Sequence, residues 1–147
     1  QKITCSDSLT QEKSYYLEKD VEWGPKFSIL LNYLSLAEND FIDISVKIKY
    51  PEKSNASAVL VSTLESENEN FHWSGTEFKS FVSINDLTKK WQTIHHSIKL
   101  SDINLNYNNI KLNVYVWNKD KEQFFIDDFT IEPRTGNPII YGLVNKL

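Results

Sequence analysis

The stretch Phe41-Ile-Asp-Ile-Ser-Val-Lys-Ile-Lys-Tyr50 decides the fold class. Ile42, Ile44, Val46, Ile48 and Tyr50 alternate with Asp43, Ser45, Lys47 and Lys49. On an extended strand a period of two puts every second side chain on the same face, so one face is buried and the other is wet. The alternation returns at 110–118, where Leu112, Val114 and Val116 oppose Lys111, Asn113, Tyr115 and Trp117. It returns again at 91–100, where Ile94, Ile98 and Leu100 oppose Thr93, His95, Ser97 and Lys99. Residues 27–33 and 56–65 are apolar on both faces, the pattern of strands covered on both sides. Residues 71–73, 76–82 and 124–131 bring the total to about eight strands. Turn chemistry separates these runs at 37–40, 51–55 and 118–121, and 104–109 is an Asn-rich loop. Residues 85–90 fit one helical turn capped by Asn85 or Asp86, and no segment carries an amphipathic helix of three turns. The spacing predicts an all-β, two-sheet antiparallel sandwich, with immunoglobulin and jelly-roll connections both open.

Composition agrees. A chain of 147 residues with 40% apolar content holds a packed core and is not disordered. Four glycines and four prolines exclude collagen-like or linker chemistry. No apolar run approaches the roughly 18 residues a membrane-spanning helix needs. The net charge is −4 and Arg134 is the only arginine, which argues against a nucleic-acid partner. The single cysteine, Cys5, cannot form an intramolecular disulfide, and no Cys/His spacing suggests zinc. The chain contains no Met, so the expectation is a processed or excised piece of an exported, extracytoplasmic protein. The organisation expected is a lead-in with a first strand at 1–22, the sandwich at 23–132 and a tail at 133–147.

Asn113, Tyr115 and Trp117 form an aromatic row with an amide, opposite an apolar face. Such a row suits a sugar, whose C–H face packs on a ring while amides and imidazoles satisfy its hydroxyls. Trp91, Thr93 and His95 share a face of the preceding strand and are expected to extend that surface. The competing expectation is that a loop or the tail covers this face and that Trp117 packs at a strand end. Trp73, beside His72, and Trp23 are further candidates for ligand contact, with a core role the favoured expectation for each. His96 shares a face with Ile94 and Ile98 and reads as a satisfied core histidine. Strand parity in 124–131 groups Phe125, Asp127, Phe129 and Ile131 on the core face, where a carboxylate must be hydrogen-bonded, paired or metal-bound. No nucleophile elbow, phosphate loop or zinc-protease motif is present, so no catalytic residue is assigned. Asn55-Ala56-Ser57 matches an N-glycosylation acceptor.

Three stretches together resemble the last three strands of galactose-binding-like, jelly-roll carbohydrate-binding modules. They are Trp91-Gln-Thr-Ile-His-His-Ser-Ile-Lys-Leu100, Lys111-Leu-Asn-Val-Tyr-Val-Trp-Asn118 and Phe124-Phe-Ile-Asp-Asp-Phe-Thr-Ile131. The resemblance extends over about residues 23–132 and implies the jelly-roll form of the sandwich. It also implies a non-catalytic module for a polysaccharide or glycan, attached to other domains of a parent protein. Ligand contacts are expected from Trp117, Tyr115, Asn113, Trp91 and His95. For Asp127 it implies one structural calcium, shared with carbonyls and an acid among Glu12, Glu18, Asp20 and Glu22. The other reading of Asp127 is a carboxylate capping backbone N–H groups. Because such folds also serve without sugar, a structural or protein-interaction sandwich is the alternative function.

Overall fold

The computed structural model describes residues 3–4, 15–17, 20–33, 40–67, 69–81, 90–103 and 109–135. Among the described residues nine strands run in chain order: β1 (Ile3–Thr4), β2 (Tyr15–Leu17), β3 (Trp23–Leu30), β4 (Phe41–Lys49), β5 (Val59–Ser66), β6 (Glu69–Glu77), β7 (Gln92–Lys99), β8 (Lys111–Trp117) and β9 (Phe124–Arg134). Short 3-10 turns follow β3, β6 and β7 at Leu31–Tyr33, Phe78–Ser80 and Leu100–Asp102. None of the described helices is long and apolar enough to cross a membrane.

Sheet I has the order β2–β9–β4–β7, with β1 also on β9, and sheet II has the order β3–β8–β5–β6. Every pairing is antiparallel. The pairs β5·β6, β4·β7, β3·β8 and β2·β9 are nested inside one another. The chain is one long hairpin, folded back at β5–β6 and rolled so that successive pairs fall on alternate sheets. That is the jelly roll, and it decides between the two connections the strand pattern left open.

The alternation that defined β4 is the reason the sheets close. Ile42, Ile44, Val46 and Ile48 are fully buried and meet Leu60 and Leu64 of β5 and Leu112, Val114 and Val116 of β8 in one core. Each such side chain contributes about 1.5–3 kcal/mol relative to an exposed one. Tyr50, Phe78 and Phe124 close one end, with ring centroids 4.9 and 5.7 Å apart. Burial, reinforced by Glu122, pushes the Tyr50 hydroxyl above its ordinary pKa. His96 sits in this interior as a hydrogen-bonded core histidine, only 6% exposed. Its Nε2 lies 3.1 Å from Ser62 Oγ and 2.8 Å from Ser74 Oγ, and its Nδ1 lies 2.8 Å from Thr76 Oγ1. The ring thereby stitches sheet I to β5 and β6, two neighbouring strands of sheet II.

Four expectations need correcting. The strands expected at 71–73 and 76–82 are one strand, β6, through which Gly75 passes without a break, and Phe78–Ser80 is a turn. The strand expected at 27–33 begins at Trp23 and ends at Leu30. Its early part escapes the alternation because a bulge lies between Trp23 and Lys26, where Pro25 is tolerated on an edge strand. β9 continues past residue 132 to Arg134, and β1 and β2 of the lead-in pair along it. The parity of β9 slips at Asp128: Ser45 pairs with Thr130 but Lys47 with Asp127, so β9 carries one extra residue. Asp128 takes the left-handed conformation there, with φ 52°. Phe124, Ile126, Phe129 and Ile131 therefore face the core, while Phe125 and Asp127 face outward. Residues 85–89 of the expected helical turn and 136–147 of the expected tail lie outside the described residues.

Candidate functional site

The outward face of sheet II is a grid set by strand register. Across β3, β8, β5 and β6 one row reads Trp23, Trp117, Val59, Glu77, and the next reads Lys26, Tyr115, Val61, Gly75. A third row reads Ser28, Asn113, Thr63, Trp73, and a fourth Leu30, Lys111, Glu65, Asn70. Short side chains fill the middle and rings stand around them, which leaves a cleft of about 350 Å³. Trp23, Lys26 and Tyr115 border it on one side and Thr63, Glu65 and Asn70 on the other. The volume falls within the roughly 300–1,000 Å³ of ligand sites in general.

The aromatic wall is self-supporting. Trp23 stacks on Trp117, with centroids 6.0 Å apart and planes 13° apart, and meets Tyr115 edge-on at 5.8 Å. Trp117 is pinned in turn, because its Nε1 donates to Glu22 Oε2 at 3.2 Å. Trp23 is nonetheless 57% exposed, and Trp73 across the face is 56% exposed. Gly75 gives the Trp73 indole its place. A Cβ on Gly75 would stand 3.1 Å from that ring and 2.8 Å from Val59 Cγ1.

Asn113 is the floor. It is 3% exposed and every polar atom of its amide is used. Ser28 Oγ donates to its Oδ1 at 2.6 Å, and its Nδ2 donates to Thr63 Oγ1 and Glu65 Oε1, each at 3.3 Å. Lys111 Nζ lies 2.8 Å from Glu65 Oε1. The Lys111 hydrogen bond, followed by that from Asn113, holds the Glu65 carboxyl below the usual carboxylate range. At the far row, Glu77 pairs with Lys79 at 3.2 Å and Lys119 at 3.6 Å.

The structure therefore divides the expected ligand residues. Trp117, Tyr115 and Asn113 share the sheet II face, with Asn113 acting as an organiser of the floor. Trp91 and His95 do not extend that surface, because β7 belongs to sheet I, on the opposite side of the sandwich. Trp91 is 38% exposed there, with Lys49 Nζ 4.9 Å from its ring centre. His95 packs edge-on against Phe81 at 5.7 Å, and burial lowers its pKa, with Asp43 opposing in part. The two tryptophans expected in the core, Trp23 and Trp73, are the most exposed large rings among the described residues. Sequence reasoning ranked these two behind a core role, and it missed Lys26, Thr63, Glu65 and Asn70. The bulge at the head of β3 hides Trp23 and Lys26 from an alternation search. The pairing of β6 alone reveals on which face Trp73 stands.

Asp127 is likewise not on the core face. Its Oδ1 accepts the Asp128 N–H at 2.8 Å, which holds the bulge, and the neighbouring Asp128 pairs with Lys47 at 3.0 Å. Of its expected partners, Glu22 is engaged with Trp117, and Glu12 and Glu18 lie outside the described residues. Among the described residues no three His, Cys, Asp or Glu side chains gather to hold a metal ion.

A jelly roll with an aromatic-walled cleft on one sheet is the class these observations define. No family model matches the chain, and no curated protein matches it in sequence. Several solved structures are similar in shape. The CBM22-2 xylan-binding domain of Paenibacillus barcinonensis Xyn10C is 15% identical, with 90% of this chain and 98% of that one covered at a TM-score of 0.48. The CBM22-1 domain of the same protein is 16% identical, with 93% and 83% covered at 0.45. An arabinose-bound α-L-arabinofuranosidase, MgGH51, is 12% identical, with 82% of this chain but 19% of that one covered at 0.48.

Proposed function

We propose that this chain is a non-catalytic carbohydrate-binding module, part of a larger exported protein, that holds a glycan in the sheet II cleft. The observation that carries the reading is Trp23. A large indole is left more than half in water, yet is fixed by a stack and an edge contact at the border of a cleft. A ring held in place loses little freedom when a ligand docks on it, so the apolar face of a pyranose gains contact area there at low entropic cost. Thr63 and Asn70 offer a hydroxyl and an amide to the sugar hydroxyls on the other side. The non-catalytic reading is supported by the acids. Glycoside hydrolysis uses two carboxyl groups about 5–9 Å apart. Among the described residues that line the cleft, Glu65 is the one carboxylate, and it is tied to Lys111 and Asn113.

The test is retention of the protein on a glycan array and on insoluble polysaccharides, xylan included. Both are run with calcium and with a chelator, and the melting temperature is followed in parallel. Specific retention supports the module reading. A melting temperature raised by calcium supports a structural calcium of the kind the resemblance implies for Asp127. Retention on no glycan in either condition removes the reading.

A further inference from the structure

The cleft is lined by two charged side chains, Lys26 and Glu65. Glu65 is answered within the protein by Lys111 at 2.8 Å and by the Asn113 amide. Lys26 is not. It stands exposed on the cleft face of β3, opposite Tyr115, and none of the ion pairs among the described residues includes it. Its charge is the smallest of the influences that hold the Glu65 carboxyl low. Lys26 and Lys111 against Glu65 leave this part of the face net positive, in a chain whose formal charge is −4. An ammonium donates hydrogen bonds to neutral sugar hydroxyls as well, but an acidic substituent also gains from its charge.

We infer that the preferred ligand is a glycan bearing an acidic substituent, a uronate carboxylate that pairs with Lys26 while a neighbouring sugar stacks on Trp23. The inference rests on the glycan-binding reading of the same cleft and adds the ligand class. An ammonium is a point charge without the fork geometry that would select a carboxylate over a sulfate. The experiment therefore carries an arm for each. The pair is solvent-exposed, so its contribution is a modest factor of about two to five in affinity, and salt screens it.

The test uses xylan bearing glucuronic acid side groups, the same xylan after carboxyl reduction, and a sulfated xylan. Dissociation constants are measured for the wild type, Lys26→Gln and Lys26→Glu. The wild type is expected to bind the uronate form about two- to fivefold more tightly than the reduced form at low salt. The preference disappears at about 0.5 M salt. Lys26→Gln binds the two forms alike, and Lys26→Glu reverses the order. Equal binding of both forms by the wild type, or a preference that survives in Lys26→Gln, overturns the inference and leaves the glycan reading standing. Tighter binding of the sulfated form than of the uronate form overturns the carboxylate assignment. Binding to none of the three overturns the inference, and the glycan reading falls with it only if the array also shows no retention.

Discussion

The two outward faces of the sandwich are built by the same alternation and end in opposite conditions. On sheet I the rings and charges answer one another. The Arg134 guanidinium lies over Phe41 at 4.4 Å and clasps Asp43 through both Nε and Nη2, while Ser97 Oγ donates to the same carboxylate at 2.7 Å. Lys49 covers Trp91 at 4.9 Å and Phe125 at 5.3 Å, and His95 meets Phe81. On sheet II the rings pack on one another instead. The faces of Trp23 and Trp73 are left toward water, above a floor of short polar side chains. A face whose cations lie on its rings is satisfied by itself. On sheet II Glu22 and Lys119 hold Trp117, but among the described residues no cation lies on Trp23 or Trp73, and these two rings keep surface for a partner.

The largest effect that separates the faces is expected at Arg134. Arg134→Ala strips the partner from a carboxylate that is almost wholly buried, and the loss of one member of such a pair costs about 3 kcal/mol. Urea denaturation reads this, and glycan retention should be untouched. Asn113→Ala comes next. It leaves Ser28, Thr63 and Glu65 without their common partner and is expected to cost about 2 kcal/mol. Unlike Arg134→Ala, it should also weaken glycan binding, because it dismantles the cleft floor. Trp23→Ala reverses the balance. Stability should change by about 1 kcal/mol or less, while affinity for a bound glycan falls about tenfold, the loss of a single exposed aromatic anchor.

The smallest effect belongs to sheet I and is a pH dependence. Burial holds the His95 pKa below its value in an unfolded chain, near 6.5. Between the two values the unfolded chain binds more protons, so stability falls as pH drops below about 6.5 and is flat above it. Urea midpoints between about pH 8 and 5 should show a shallower decline in His95→Gln than in the wild type. Glycan binding near neutral pH should not differ.

This difference between faces was only half legible in the sequence. The alternation at Phe41-Ile-Asp-Ile-Ser-Val-Lys-Ile-Lys-Tyr50 is a local property, and it named the core residues of β4 correctly. The jelly roll followed from the resemblance, and the nesting of the strand pairs then gave it a physical form. What failed was anything that depends on a neighbour far along the chain. His95 and Trp117 both point outward, but whether they share a surface depends on which sheet takes β7, and β7 pairs with β4 rather than β8. Trp23 is the partner of Trp117 across 94 positions of sequence, hidden behind a bulge that breaks the period. Asp127 turned outward for the same kind of reason, since the extra residue at Asp128 puts it out of phase with Phe129 and Ile131.

On the proposed reading the working face is sheet II, and sheet I is closed upon itself. The most direct measurement compares Trp23→Ala with Trp91→Ala in one titration against a glycan that the wild type binds, with melting temperatures taken alongside. Weakened binding is expected for Trp23→Ala and wild-type affinity for Trp91→Ala, with both proteins folded. Full affinity in Trp23→Ala together with lost affinity in Trp91→Ala would place the ligand on sheet I and contradict that reading.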